Sequence, residues 1–256
     1  MEDGRRFFVI RHGHRCDYFF RKKGVNWIER AFPGGGKFVR FDHALPIHLP
    51  VRHGGPAGYN DDTPITQPGY EMAVLMGRRL KKHCPTISSV YCSPSLRCVQ
   101  TAQGIMEGYE GDLTMNIEPG LFQWTRWCKH GVLPQWLCPA ELCAAGFPVN
   151  VNHVPIDYDL DLHETLKNYY DRSYDFIKKL LEKDKSRAIL LVAHAGSLDV
   201  LTRQLCGGEP LDRRGFAEFL SETSYLSCAE AVQTDKMRWK MSTSTVLPPT
   251  KTGLRD

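Results

Sequence analysis

The 256-residue chain has no long apolar run. A membrane-crossing helix needs roughly 20 apolar residues in succession. The longest run here, Ala188 to Ala193, suits a buried strand. No membrane partner is therefore expected. Nor is a cleaved leader, because Phe7-Phe8-Val9-Ile10 is short for an apolar leader core and runs straight into Arg11-His12. Charge of one sign is also scarce. The 33 Lys+Arg against 29 Asp+Glu leave a net +4, without the clustered basic stripe that marks a nucleic-acid binder. The nine cysteines are odd in number and contain no C-x-x-C pair. That pattern argues against a disulfide framework and a zinc module, and favours reduced thiols in the cytoplasm. Repeats and low-complexity runs are missing too. At 42% hydrophobic and 24% charged, the composition is that of a globular protein rather than a disordered or fibrous one.

What is present alternates between strand and helix. Phe7 to Ile10 reads as a short buried strand. Thr66 to Cys84 reads as a helix capped by Thr66, with Tyr70, Ala73, Val74, Gly77 and Leu80 on its apolar face. Ile87 to Cys92 is a second strand, and Ser93-Pro94 supplies N-cap and N1 residues for a helix bearing Val99, Ala102, Met106 and Tyr109. Asp161 and Glu164 have the spacing of a capping box for a helix running to about Lys183. Ala188 to Ala193 is the strongest strand, followed by a helix over Ser197 to Cys206 that Gly207-Gly208 closes. This rhythm predicts an α/β fold of three layers, a mostly parallel sheet with helices on both faces. The stretches at about 20–65 and 119–160 break the rhythm and read as two loop insertions in one domain spanning 1–256.

Ligands of open α/β sheets bind beyond the carboxyl ends of the strands. Two histidines stand there. Phe7-Phe8-Val9-Ile10 leads into Arg11-His12-Gly13-His14-Arg15, and Ala188 to Ala193 leads into His194. The strand ending at Cys92 delivers Arg97 into the first turn of its helix, where backbone N–H groups already favour an anion. Arg11, Arg15, Arg97, His12 and His194 around one point would suit a dianionic phosphoryl group, since guanidinium forks grip phosphate oxygens.

Arg11-His12-Gly13 after a strand, Ser93-x-x-x-Arg97-x-x-x-Thr101-Ala102 and Val192-Ala193-His194 resemble the histidine phosphatase (phosphoglycerate-mutase-like) superfamily. Further motifs resemble one branch of it: the catalytic domain of the TULA/Sts phosphatases and the insect ecdysteroid-phosphate phosphatases. These are His12-x-x-Arg15-x-Asp17, Asp62-Thr63-Pro64-Ile65-Thr66, Tyr91-x-Ser93-Pro94, Glu118-Pro119-Gly120-Leu121-Phe122 and His194-x-x-x-Leu198-Asp199. The resemblance implies phosphomonoester hydrolysis through a phosphohistidine on His12. Arg11, Arg15, Arg97 and His194 would bind the substrate oxygens and stabilise the charge there, with no metal and no cofactor. It implies a phosphoprotein or small phosphate ester as partner, and a homodimer, since relatives in this branch often dimerise. Gly13 would let the backbone fix the His12 tautomer.

One position departs from the family. Its general acid is a carboxylate after the Glu118–Phe122 motif, and Gln123 stands there. Glutamine cannot protonate a leaving group. A phenol, with a pKa of about 10, departs with little help, whereas an alkyl alcohol depends on an acid. Aryl phosphates such as phosphotyrosine, or a steroid phosphate, are the expected substrate class. Glu118 and His14 are the alternative proton donors; Glu118, five positions upstream, reads first as structural, and the role of His14 is open. A phosphate-binding module without catalysis is the competing reading, and phosphoglycerate mutase activity the second. His43, His48 and His53 recur every five residues, which fits neither a helical nor a strand face, so no metal site is expected. Phe122, Trp124, Trp127 and Trp136 read first as a satellite core, and second as a wall for an aromatic leaving group.

Overall fold

The most apolar segment of the chain sits where burial is greatest. In the computed structural model, which describes residues 4–128, 131–157, 159–235, 238–243 and 246, all six residues of β4 (Ala188–Ala193) are buried. They pair in parallel with β1 (Arg6–Arg11) on one side and β2 (Ile87–Cys92) on the other. A strand covered on both faces and both edges reads as a continuous apolar run, and this one does. With β3 (Met115–Ile117), β5 (Cys228–Gln233) and β6 (Trp239–Met241) the sheet has the order β3-β2-β4-β1-β5-β6. Its first four strands are parallel and the last two antiparallel.

Alternation along β1 divides the core in two. Phe8 and Ile10 join one cluster with α3 (Gln67–His83) and α4 (Leu96–Tyr109). Phe7 and Val9 join the other, with α6 (Leu166–Lys183), α7 (Ser197–Val200) and α8 (Arg213–Glu222). The expected three-layer α/β architecture is thus observed. The loop stretches are not structureless. The first carries α1 (Cys16–Lys22) at its start and α2 (Trp27–Ala31), and the second carries α5 (Pro139–Ala144). Trp27, Leu45, Tyr59, Leu137, Leu142 and Phe147 from these stretches bury their side chains in the α3–α4 core.

Several local expectations shift by a few residues. Thr66 caps α3, accepting from the Gly69 N–H at 3.1 Å. The buried face of α3 is centred on Met72, Ala73, Met76, Gly77 and Leu80, leaving Tyr70 and Val74 at its margin. Ser93 does not cap α4, because its N–H still bonds Val192 at 3.0 Å as a continuation of the sheet. The helix therefore starts after Ser95. Asp161 and Glu164 give way to Thr165 and Asn168 as the capping box of α6. Beyond α7 the chain continues as turns to Gly207 rather than as regular helix.

Helices α3 and α4 approach closely through small residues. A Cβ on Gly108 would lie 1.9 Å from the Val74 carbonyl oxygen, and one on Gly77 would lie 2.0 Å from that of Ile105. Alanine favours a helix by about 1 kcal/mol over glycine. Here the backbone contact dominates. Gly108→Ala is expected to destabilise the protein by about 2–3 kcal/mol, as overpacked cores do, read as a lowered urea midpoint.

Candidate active site

Register places the site. Arg11 pairs with Ala193 and Cys92 with Val192, so the chain leaves β1, β4 and β2 at neighbouring points. The His12 N–H extends the ladder by bonding the Ala193 carbonyl at 3.0 Å. His12 and His194 consequently meet, their ring centroids 5.6 Å apart and their planes at 72°. Both are buried.

Hydrogen bonds settle both tautomers. His12 Nδ1 lies 2.9 Å from the Gly13 carbonyl oxygen. A carbonyl only accepts, so Nδ1 carries the proton and Nε2 keeps its lone pair. The contact expected of Gly13 is present. His194 Nδ1 accepts from Arg97 at 3.2 Å, so Nε2 bears its proton and donates to Ser93 Oγ at 2.9 Å. The role of Ser93 as an anchor for His194 was not legible in its sequence position, which suggested a cap. Burial first, then Arg97, lowers both imidazoles well below the ordinary histidine value, with Arg11 and Arg15 adding to the effect. At neutral pH both rings are uncharged.

The three arginines gather around this pair, each held by a protein group. Arg97, in the first turn of α4, donates to Gln123 Oε1 at 2.9 Å. Its Nε is buried without a hydrogen-bond partner among the described residues, a donor left for an oxyanion. Thr101 takes the Gly13 N–H at 2.9 Å and donates to the Arg97 carbonyl at 2.6 Å, joining β1's exit to α4. Arg15 forks onto Asp17 at 2.9 and 2.6 Å. Arg11 bonds the Thr223 carbonyl and stacks on Tyr225, its guanidinium 4.2 Å from the ring centroid. Tyr225 also touches the rings of His12 and His14. Its neighbour Leu226 holds a left-handed φ of 61°, a costly conformation for a side-chain-bearing residue. Sequence reading missed Tyr225, which lies in no recognisable motif.

A cavity of about 430 Å³ opens beside Arg15 and Arg97. Arg15, Arg97, Gln123, Asn60, Asp61 and Cys128 supply its polar lining, and Tyr18, Phe122, Trp127, Val132 and Pro134 its apolar part. The aromatic cluster divides accordingly. Trp124 packs inward, donating to the Glu164 carbonyl at 3.0 Å, whereas Phe122 and Trp127 form cavity wall. Glu118 is fully buried, accepting from the Ile156 N–H at 3.0 Å and pairing with His153 at 2.7 Å. His14 is buried against Thr66 and Tyr225. Neither lines the cavity. His43 and His48 are exposed, and His53 pairs with Glu141. Among the described residues no cluster of His, Cys, Asp or Glu could hold a metal. None of the nine cysteines is in a disulfide. Cys98, beneath His194, is buried and its thiol is pushed up to about 12.

Residues 49–231 match the histidine phosphatase superfamily (branch 1). The chain belongs to that family. It is 39% identical over 253 residues to the ubiquitin-associated and SH3 domain-containing protein B of Mus musculus, covering 95% of this chain and 39% of that one. It is 36% identical over 252 residues to the ecdysteroid-phosphate phosphatase of Drosophila melanogaster, covering 96% of this chain and 33% of the relative. The chain thus spans well under half the length of these relatives. Among solved structures, the ecdysone phosphate phosphatase of Bombyx mori in complex with tungstate superposes with a TM-score of 0.81 at 26% identity, over 98% of both chains. The sheet and helices of this histidine-phosphatase domain are therefore those of the phosphoglycerate-mutase-like fold. No helix among the described residues is long and apolar enough to cross a membrane.

The neutral histidines carry a stability consequence. Their folded values lie below the unfolded value of about 6.5, so the unfolded chain binds more protons as pH falls below that point. Stability should be full above pH about 7 and decline progressively below about 6.5. Urea midpoints across that range should show the decline, and His12→Asn should make it shallower.

Proposed function

We propose that this domain hydrolyses phosphomonoesters through a phosphohistidine on His12. The observation that carries the reading is the His12 ring itself. It is buried and uncharged, with its proton committed to the Gly13 carbonyl and its Nε2 lone pair retained among three guanidinium groups. A neutral imidazole is a nucleophile at ordinary pH, and the surrounding cations would draw in and stabilise the phosphoryl oxygens. In the first step the His12 Nε2 lone pair forms the bond to phosphorus as the ester oxygen leaves. In the second, water displaces the histidine and inorganic phosphate departs. Arg11, Arg15 and Arg97 are the groups that would hold the oxygens throughout, replacing a metal in that role, while His194, its proton committed to Ser93, would position Arg97 beside them. Tungstate is a tetrahedral oxyanion like phosphate, and its presence in the Bombyx mori relative supports an oxyanion site in this fold.

The cavity supports an aromatic leaving group. Tyr18, Phe122 and Trp127 give it an apolar wall beside the arginines, and its volume is that of a small-molecule site. Phosphotyrosine in a protein fits this lining and needs no acid at Gln123, whereas a steroid alcohol is an alkyl leaving group and would need one. We also read the chain as one domain, because both loop insertions contribute to the cores on the sheet. The ends of the predicted domain, 1–3 and 247–256, lie outside the described residues. The free thiols support a cytoplasmic setting. Homodimerisation rests on the family resemblance, and light scattering on the purified protein measures it.

The test uses para-nitrophenyl phosphate, a phosphotyrosine peptide and an alkyl phosphate. The wild type should release phosphate from the two aryl esters, without a bisphosphoglycerate primer, and turn over the alkyl ester far more slowly. His12→Ala should abolish turnover. Gln123→Glu should raise alkyl turnover by about 10²-fold or more, within the range of acid catalysis, and aryl turnover much less. A wild type that bound vanadate tightly but released no phosphate from any ester would instead be a phosphate-binding module.

A further inference from the structure

In the phosphatase reading, on which this inference rests, hydrolysis of the phosphohistidine needs a group to take a proton from water. Gln123 cannot. Its loop is also held firmly in place. Arg172 donates to the Gly120 carbonyl at 2.8 Å and pairs with Glu164 at 3.0 Å, and Glu164 accepts from the Thr125 N–H at 2.8 Å. Both flanks are clamped and Gln123 is bound to Arg97, and no other residue between Gly120 and Thr125 carries an acid or base side chain. Glu118 faces His153 and Ile156, away from the cavity. Cys128 lines the cavity, but burial raises its thiol.

The carboxylate that lines the cavity together with Arg15, Arg97 and Gln123 is Asp61, which comes from the other loop insertion. Its neighbour fixes its place. Asp62 is buried, pairs with Arg52 at 3.0 Å and accepts from the N–H of Leu96 at 2.8 Å. Leu96 opens α4 and precedes Arg97. Arg52 also donates to the Gln135 carbonyl at 2.9 Å, tying the two insertions together. The Asp62 side chain is thus committed to the interior, while Asp61 is exposed and borders the cavity.

We propose that Asp61 is the general base of the second half-reaction. A water oxygen forms its bond to phosphorus as the bond from phosphorus to His12 Nε2 breaks. The electron pair of that bond returns to Nε2, and the water proton passes to the Asp61 carboxylate, which later releases it to solvent. Inorganic phosphate leaves. The first half-reaction does not require Asp61 when the leaving group is a phenolate.

Rapid-quench kinetics with radiolabelled para-nitrophenyl phosphate separates the two steps. Asp61→Asn should keep a stoichiometric burst of para-nitrophenol while steady-state turnover falls about 10²-fold. Acid-labile, base-stable label should accumulate on His12, and Asp61→Glu should restore part of the turnover. Wild-type turnover in Asp61→Asn would overturn the assignment and leave the phosphatase reading intact. So would a parallel loss of burst and turnover with no labelled intermediate, the mark of a structural defect. Phosphate release that persists in His12→Ala, with no label on His12 in either the wild type or Asp61→Asn, would overturn both.

Discussion

The parallel pairing of β4 with both β1 and β2 is the constraint on which the rest depends. It sets Arg11 opposite Ala193 and Cys92 opposite Val192. The residues that follow, His12, His194 and Ser93, then emerge together although they lie far apart in the chain. Backbone ladders and apolar side chains on both faces hold this register. A slip of one residue would send Phe7 and Phe8 to the wrong layers. Hydrophobic burial therefore brings the strand ends together, and contacts among the site residues then fix the side chains there.

Gathering guanidinium groups in a buried place has an electrostatic cost, and the protein meets it in two ways. The histidines are kept neutral, each with its tautomer determined by an acceptor or donor that has no alternative role. The outer charges are neutralised in pairs: Arg15 with Asp17, Arg52 with Asp62, and Arg172 with Glu164. The last two pairs are largely buried and reach backbone groups beyond their partners. Buried pairs of this kind contribute little net stability but cost much when one member is lost. Their value here is positional. One joins the two loop insertions to the start of α4, and the other clamps the segment around Gln123. Both fix the wall of the cavity relative to the histidines.

Much of this was legible from local pattern. The strands Ile87–Cys92 and Ala188–Ala193 coincide with their sequence readings because short apolar runs bounded by polar residues admit few alternatives. Helix starts were less determinate. Ser93, Ser95, Asp161 and Thr165 are all good caps by composition, and the choice among them was made by tertiary bonds. Ser93 is held by Val192 and His194, and Glu164 by Arg172. Tyr225 and Asp61 carried no periodic or motif signal. Each matters through what a distant part of the chain brings beside it.

The sequence by itself determined the alternation of strand and helix, and the residue types placed just beyond two strands and at one helix start. It also determined that Gln123 is not an acid, since that is a property of the side chain alone. The tertiary structure decided which residues meet. It chose the proton position on His194, because only the folded chain brings Arg97 and Ser93 within hydrogen-bond distance. It also turned Asp62 inward while leaving Asp61 at the cavity. Two adjacent aspartates are chemically identical as text, and burial against Arg52 and the α4 N-terminus makes them different.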